Sequence, residues 1–159
     1  MNYLIDIQNV SDKRLPLTRV EIRNIAALTL QDHKTRAELT LRIVQPEEMQ
    51  ALNHQYRQQN KTTNVLAFPS ALPESIELSH PFLGDIIICS EVMRQESKQL
   101  HKTLKAHWSL IVIHGILHLL GYDHINSTDA RVMQALEIQV LAKLGYSNPY
   151  DDIEDNKVD

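Results

Sequence analysis

The feature that most constrains this chain is an apolar segment, HGILHLLGYDH, with histidines at positions 114, 118 and 124. Residues four apart project from one face of an α-helix about one turn from each other, so His114 and His118 are predicted to present their imidazoles together. Gly121 follows at the predicted helix end, where a glycine can adopt the left-handed conformation and reverse the chain. This reversal would bring His124 towards the first two histidines. The segment therefore predicts a three-histidine metal site.

The donor set of this predicted site favours zinc. Three imidazoles without a thiolate suit that ion, and three protein ligands leave a fourth tetrahedral position for water, which is typical of a catalytic rather than a structural site. A closed structural site would need one more ligand from the chain. Cys89 and His107 are the candidates, because His107 lies two turns before His114 on the same helical stripe. Both kinds of site are open on this pattern.

The histidine spacing is that of the metzincin proteases with one substitution. Where those enzymes carry a glutamate after the first histidine, this chain has Gly115. That carboxylate takes the proton from the metal-bound water and passes it to the leaving amine, which glycine cannot do. The pattern therefore argues against a peptidase but keeps a metzincin-like metal-site helix. Hydrolysis of a substrate whose leaving group needs less proton transfer is still compatible with it.

The composition is that of one ordinary soluble domain. The chain has 159 residues, of which 43% are hydrophobic and 23% charged. Its single cysteine, Cys89, excludes an internal disulfide and ends the apolar run IIIC, which favours a small buried side chain over a reactive thiol. The N-terminus lacks a basic region followed by an apolar core, and the run 111–120 is too short to cross a bilayer. We therefore expect a cytoplasmic protein without a membrane anchor.

The charge is balanced over the predicted folded part. The formal net charge of −4 arises in the tail 151–159, which holds five acids and one lysine and leaves 15 acidic and 15 basic residues before it. A polyanion must therefore be held by local patches, and no DNA binding is expected. One basic stripe recurs at three- and four-residue steps, and its members are Arg94, Lys98, His101, Lys102 and Lys105. It is predicted to line one helix face, either as a solvated surface or, through Lys98 and Lys102, as a track for RNA.

Strand-like and helix-like segments are mixed along the chain, which predicts an α/β domain. Strands are predicted at 3–10, 38–44, 64–69 and 84–89, and helices at 18–30, 46–56, from 91, at 105–120 and from 127 to a stop at Gly145. Residues 71–80 are predicted to form a loop. No repeat or flexible linker divides the chain. We therefore expect a single domain over 1–150, followed by a disordered acidic tail at 151–159.

Two further segments contain residues that could join the site. YRQQNKTTNVLAFP places Arg57 and Lys61 in a polar connection between a helix and a strand. Arg57 could clamp a phosphate and stabilise charge developing on phosphorus, or it could pair with a nearby acid such as Glu48. Asp85 opens the strand GDIIIC, where it could act as a turn or capping residue or could orient a ligand imidazole.

Four of these segments together resemble the YbeY family of bacterial rRNA maturation factors. HGILHLLGYDH, NKTTNVLAFP, LGDIIIC and MQALEIQVLAKLGY occur in that family's order and separations, over residues 43–150. The resemblance implies a small mixed four-stranded sheet packed with helices and a zinc ion bound by His114, His118 and His124. It implies a single-strand-specific endoribonuclease that matures the end of small-subunit ribosomal RNA and acts in late ribosome quality control. Arg57 takes the place of the family's catalytic, phosphate-contacting arginine.

Some positions depart from the family pattern. The family has Asp-x-Pro-Thr where this chain has residues 60–63, serine at the position of Ala67, and an acidic run where this chain reads INSTDA. Single-stranded ribosomal RNA and the ribosome, or small-subunit assembly proteins, are the implied partners. The alternatives are a ribosome-assembly binding module whose zinc is structural, and a general metallohydrolase.

Overall fold

A four-stranded mixed β-sheet with helices on both faces organises the chain. The computed structural model describes residues 2–72 and 79–151. The strands are β1 (Asn2–Asn9), β2 (Arg36–Val44), β3 (Val65–Pro69) and β4 (Phe82–Cys89), and the helices are α1 (Arg19–Leu30), α2 (Pro46–Arg57), α3 (Ser90–Gln99), α4 (Leu104–Leu119) and α5 (Ser127–Lys143). The predicted α/β fold and its mixed four-stranded sheet are confirmed. The parts of the predicted loop and tail at 73–78 and 152–159 lie outside the described residues.

The sheet order, β1-β2-β4-β3, places β3 at an edge beside the central strand β4. β1, β2 and β4 run parallel, whereas β3 runs antiparallel to β4. The unbroken apolar sequence of β4 is explained by burial on both sides. Ile86 and Ile88 pack into the main core on one face, and Ile87 and Cys89 pack into a second cluster on the other. Among the described residues, β4 is the only strand that pairs with β3.

Asp85 has a different place from the predicted one. It is the fourth residue of β4, where it lies opposite Thr40 on β2 and Phe68 on β3. The prediction of a turn or capping aspartate is therefore wrong. The strand begins earlier than the apolar run because main-chain pairing continues through Phe82, and that pairing does not depend on apolar side chains.

Helix α4 is the central packed element. Apolar side chains are buried around most of its circumference, including Trp108, Ile113 and Ile116. Each fully buried side chain of this kind stabilises the fold by roughly 1.5–3 kcal/mol. On the opposite face of the sheet, Met49 of α2 closes the smaller cluster. Any side chain projecting from α4 is therefore carried on a rigid support. Within the described residues, none of the helices combines the length and the apolar character that a bilayer crossing requires.

The basic stripe does not lie on one helix, so that prediction is wrong. α3 ends at Gln99, and His101 follows with a left-handed backbone at φ 54°. The side chain of Thr103 then caps α4 by accepting a hydrogen bond from the N–H of Ala106 at 3.2 Å. Helical periodicity continued through this segment in the sequence, but the left-handed residue and the new cap break the chain into two helices. Arg94 and Lys98 consequently belong to α3, and Lys105 belongs to α4.

Candidate metal centre and cleft

The C-terminal end of α4 positions the first two histidines and returns the chain towards them. Gly121 adopts φ 103°, its N–H donates to the carbonyl of His118 at 3.0 Å, and the N–H of Tyr122 donates to the carbonyl of Leu117 at 3.0 Å. These two bonds form a Schellman motif, which ends the helix and reverses the chain direction. The prediction that Gly121 supplies a left-handed break is confirmed, and the reversal brings His124 beside α4.

The three predicted ligands lie together. One nitrogen from each of His114, His118 and His124 lies within 4.8 Å of the other two, and the Nε2 atoms of His114 and His118 are 3.0 Å apart. Ring centroids are separated by 4.5 Å for His114 and His118, 5.6 Å for His114 and His124, and 5.2 Å for His118 and His124. Three nitrogen donors converging in this way fit a metal ion such as a first-row divalent cation.

The surroundings of His118 favour the neutral form of its imidazole. Burial lowers the pKa of its imidazole, and the neighbouring imidazoles of His114 and His124 lower that pKa further. A neutral imidazole keeps a lone pair on one nitrogen, whereas the protonated ring has none to offer. The surroundings of His118 therefore favour a neutral imidazole with a lone pair available at neutral pH.

A buried carboxylate supports the opposite side of His114. Nδ1 of His114 lies 2.6 Å from Oε2 of Glu137 on α5, and the Tyr150 hydroxyl donates to Oε1 of Glu137 at 2.6 Å. Glu137 is 1% exposed. Burial raises the pKa of Tyr150, and the hydrogen bond to Glu137 raises it further, so its hydroxyl stays protonated and can donate. The carboxylate that contacts a predicted ligand histidine is thus Glu137, whereas Asp85 was the residue predicted for this role.

Gly115 has a structural reason to be glycine. A Cβ atom at this position would lie 2.9 Å from Cγ2 of Ile86 and 3.2 Å from its Cδ1, because α4 packs directly against β4 there. A glutamate side chain would have to displace the core at this point. Gly115, which separates this chain from the proteases, therefore also lies where α4 packs closely against β4.

Arg57 reaches the same region from the end of α2. Its Nη2 donates to the carbonyl oxygen of Ala67 at 3.0 Å, and its guanidinium carbon lies 5.3 Å from the centroid of the Phe68 ring. Tyr56 packs edge-on against Phe68 at 5.2 Å. Glu48, the acid considered as a partner for Arg57, instead forms an ion pair with Arg42 at 2.8 Å. The guanidinium is therefore oriented by the edge of β3 and is not neutralised by Glu48.

A cleft of about 640 Å³ joins Arg57 to the histidine cluster. Its floor and walls come from β3, from the end of α4 and from the turn after α4, and the lining residues are Arg57, Thr63, Asn64, Val65, Leu66, Ala67, Pro69, His114, His118, Gly121, Tyr122, Asp123 and His124. The cleft thus combines three imidazoles, a guanidinium, a carboxylate and an amide. This set can bind an anion beside a metal ion and can accept or donate protons.

The other candidate residues lie outside this cleft lining. His107 is buried and its Nε2 lies 2.9 Å from Oε1 of Glu96, while Cys89 is buried in the smaller core cluster. Neither is grouped with the three histidines, so both candidates for a fourth protein ligand are placed elsewhere. Lys61 and Lys98 are exposed. Lys102 donates from Nζ to the carbonyl of Pro149 at 2.7 Å, which holds the segment after α5.

Glu137 and Tyr150 were missed by the sequence-based predictions, although one signal was available. Glu137 shares a helical stripe with the buried residues Met133, Val140 and Leu141, at steps of four, three and four. A charged residue on an apolar stripe is rarely buried without a partner, so its position predicts a specific contact. The local sequence does not indicate which residue Glu137 contacts, because its partner His114 lies 23 residues away.

The fold and the site together define a class of protein: a small α+β domain with a three-histidine cluster at the end of a buried helix and an arginine at the sheet edge. Comparison with known proteins identifies the family. The family model described as "Endoribonuclease YbeY" matches residues 6–145, and the chain belongs to this family. The resemblance noted in the sequence is confirmed.

Individual relatives agree with this assignment. Proteins named "Endoribonuclease YbeY" from Legionella pneumophila (strain Corby) and Cellvibrio japonicus (strain Ueda107) are 58% and 43% identical to this chain. The first comparison covers all of both chains, and the second covers 94% of this chain and 84% of the relative. The solution structure of TM1509 from Thermotoga maritima has the same fold, with a TM-score of 0.58 at 21% identity over 89% of this chain and 91% of that protein.

Proposed function

We propose that this chain is a zinc-dependent endoribonuclease that cleaves single-stranded RNA and takes the end of small-subunit ribosomal RNA as its substrate. The endoribonuclease activity is that of the family, which makes the chain an RNA hydrolase. The observation that carries the proposal is the convergence of His114, His118 and His124 in one cleft with Arg57. A cation and a guanidinium in one cleft suit the negative charge of a phosphodiester.

In this proposal His114, His118 and His124 hold the metal ion. Three imidazoles with no thiolate favour zinc over harder cations, which prefer oxygen ligands. Bound zinc would supply Lewis acidity, which can lower the pKa of a water molecule to about 7 and polarise a phosphoryl oxygen. The placement of Cys89 and His107 away from the cluster supports an open position and weighs against a structural zinc in a binding module.

Arg57 is proposed to bind the scissile phosphate. One of its five N–H groups is engaged with the Ala67 carbonyl, which leaves the others to donate to non-bridging phosphate oxygens. Arginine can hold two phosphate oxygens at once, and the bonds strengthen as negative charge builds up in the transition state. Asp123, which lines the cleft and is exposed, can accept a proton there.

The shape of the cleft supports a single-stranded substrate. About 640 Å³ is a volume suited to a nucleotide-sized ligand, and an unpaired nucleotide can turn its backbone into such a cleft. In a duplex the stacked pairs hold each nucleotide in the helix, and extracting one costs a few kcal/mol. RNA contacts proposed further out are Lys61 and Lys98, which are exposed, and Lys102, whose ammonium donates to the carbonyl of Pro149 at 2.7 Å. The proposed partners are the ribosome or small-subunit assembly proteins, and the proposed location is the cytoplasm.

A cleavage assay with matched substrates tests this proposal. We expect the purified protein to cut a single-stranded RNA internally, and to leave intact both the same RNA in a duplex and a DNA of the same sequence. Chelation should stop cleavage and zinc should restore it. A His114→Ala variant purified in parallel controls for contaminating nucleases and should be inactive. Cleavage that persists after verified removal of metal, or equal cleavage of the DNA, would contradict the proposal.

A further inference from the structure

We infer that Glu137 and Tyr150 are positioning residues for the metal ligand His114, so that the segment after α5 forms part of the metal centre. The inference rests on the proposed role of the three histidines as ligands. Its evidence is a pair of hydrogen bonds, each 2.6 Å long, in which the Glu137 carboxylate accepts from the Tyr150 hydroxyl and from Nδ1 of His114.

The burial of Glu137 shows that its contacts are specific. A carboxylate that is 1% exposed loses its hydration, which costs several kcal/mol unless hydrogen bonds and opposite charge replace the water. Glu137 has one partner on each carboxylate oxygen, the Tyr150 hydroxyl on Oε1 and the His114 ring on Oε2. The neighbours of Glu137 on its helical stripe, Met133 and Val140, are apolar and offer no hydrogen bond. The carboxylate is therefore tied to these two side chains.

The contact fixes the tautomer of His114. A carboxylate accepts hydrogen bonds, so Nδ1 of His114 must be the protonated nitrogen in this pair, and the lone pair then lies on Nε2. Nε2 is the atom that faces Nε2 of His118 at 3.0 Å, in the centre of the histidine cluster. A carboxylate behind a ligand imidazole also makes the ring a stronger donor to a metal and holds its orientation. Glu137 thereby prepares His114 for metal binding.

Tyr150 extends the same support to the end of the described chain. Its backbone N–H donates to the side chain of Asn148 at 2.8 Å, and the carbonyl of the preceding residue, Pro149, accepts from Lys102 at 2.7 Å. These two contacts hold the residue that bonds to Glu137. Lys102, predicted as a possible RNA contact, is in this way connected to the metal centre through the segment 148–150.

The chain offers a matched control for this arrangement. His107 lies on the same helix as His114, and its Nε2 is 2.9 Å from the carboxylate of Glu96. This second histidine–carboxylate pair belongs to α4 and α3, and His107 is not one of the three proposed ligands. Replacing Glu96, whose side chain is 31% exposed and also accepts from Asn64 at 3.0 Å, disturbs a second histidine–carboxylate pair without touching a proposed ligand.

The experiment measures Zn²⁺ affinity of the full chain by competition with a chromophoric chelator. The variants are Glu137→Gln, Glu137→Ala, Tyr150→Phe, the control Glu96→Gln, and His118→Ala. Gln keeps the size and one acceptor of Glu137 but removes its charge, whereas Ala removes both. Loss of such a supporting contact typically weakens metal binding about 10–100-fold. We expect roughly 10-fold weaker binding for Glu137→Gln, roughly 100-fold for Glu137→Ala, and a smaller loss for Tyr150→Phe.

Two further readouts separate positioning from stability. The melting temperature of each metal-free variant is recorded, and the visible absorption of the Co²⁺-loaded proteins reports the ligand field. We expect Glu137→Gln to alter the Co²⁺ spectrum, while Glu96→Gln retains the spectrum and the Zn²⁺ affinity of the unaltered chain. Glu137→Gln with unchanged Zn²⁺ affinity and Co²⁺ spectrum would overturn the inference, as would equal losses in Glu137→Gln and Glu96→Gln that follow their melting temperatures. Failure of the proposed function is distinguishable, because Zn²⁺ would then bind equally with and without His118.

Discussion

Arg57 and Ala67 are joined by a hydrogen bond of 3.0 Å in which the guanidinium Nη2 donates to the backbone carbonyl oxygen. The backbone carbonyl of Asn64 and the backbone N–H of Ser70 form hydrogen bonds with β4. Because every second residue of an antiparallel strand bonds to its neighbour, the Ala67 carbonyl points to the edge of β3 that faces away from β4. The arginine at the end of α2 is therefore held by the strand that forms one wall of the cleft.

Replacing Arg57 tests its role in catalysis. We expect Arg57→Ala to lower kcat for RNA cleavage by about 10²–10³-fold, the usual loss when a donor to developing charge is removed. Arg57→Lys should recover part of the activity, because lysine restores the charge without the two-pronged geometry. Zinc content should be unchanged, and stability should fall by about 1 kcal/mol or less. Arg23, exposed on α1, provides the control Arg23→Ala, and full activity in Arg57→Ala would remove this residue from the mechanism.

Phe68 is expected to set the direction of the Arg57 guanidinium. Phe68→Leu removes the ring that lies 5.3 Å from the guanidinium carbon but keeps an apolar side chain. An exposed cation–π contact contributes roughly 0.5–1 kcal/mol, which corresponds to a rate change of about two- to fivefold. Cleavage rates measured at saturating RNA should fall by that factor, while metal content stays the same. A loss as large as that of Arg57→Ala would show that Phe68 does more than orient the arginine.

Gly84 allows β3 to approach β4. A Cβ atom there would lie 2.2 Å from the carbonyl oxygen of Phe68 and 2.9 Å from Cα of Pro69, and the residue has φ 141°. Gly84→Ala combines a backbone clash with an unfavourable backbone conformation, so we expect a loss of unfolding free energy on the order of 3 kcal/mol. Urea denaturation measures it. Because Gly84 packs against β3, the strand that bonds to Arg57, RNA cleavage by the folded fraction should fall too. An unaltered urea midpoint would contradict this close packing of β4 on β3.

Gly115 and Gly121 should respond to substitution for different reasons. Gly115→Ala presses on the Ile86 side chain, so it should cost roughly 1–3 kcal/mol, and Ile86→Ala in the same chain should relieve part of that cost. Gly121→Ala meets nothing within 4 Å but forces φ 103° on an alanine, which costs about 1–2 kcal/mol. A double-mutant cycle in urea should give coupling with Ile86 for Gly115 and none for Gly121. Equal coupling for both would refute this distinction.

Much of the site could be predicted because its signals are local. His114, His118 and Gly121 lie within three helical turns, and the spacing of the two histidines and the position of the glycine fix their geometry almost independently of the rest of the chain. The ends of the strands and of α1, α2, α4 and α5 were likewise predicted within about two residues, whereas no end was predicted for the helix that begins near residue 91. The role proposed for Arg57 rests on the family resemblance, since its hydrogen bond to Ala67 joins residues ten apart on different elements.

What could not be predicted depends on contacts between distant parts of the chain. Glu137 reads in the sequence as a charged residue of an amphipathic helix, and only the packing of α5 against α4 brings it to His114. The prediction that the basic stripe lies on one helix was wrong for a related reason. Its three- and four-residue steps continue past Gln99, whereas the left-handed turn at His101 depends on where Thr103 caps the next helix.

The most direct test of the account is X-ray absorption at the zinc edge of the zinc-loaded full chain, with zinc content measured on the same sample. If His114, His118 and His124 hold one ion with an open position, the protein should contain one zinc per chain. The spectrum should then show three imidazole nitrogens at about 2.0–2.1 Å and one further light atom, and the zinc should be lost in His118→Ala. A sulfur neighbour at about 2.3 Å, a fourth imidazole, or undiminished zinc in His118→Ala would contradict the account.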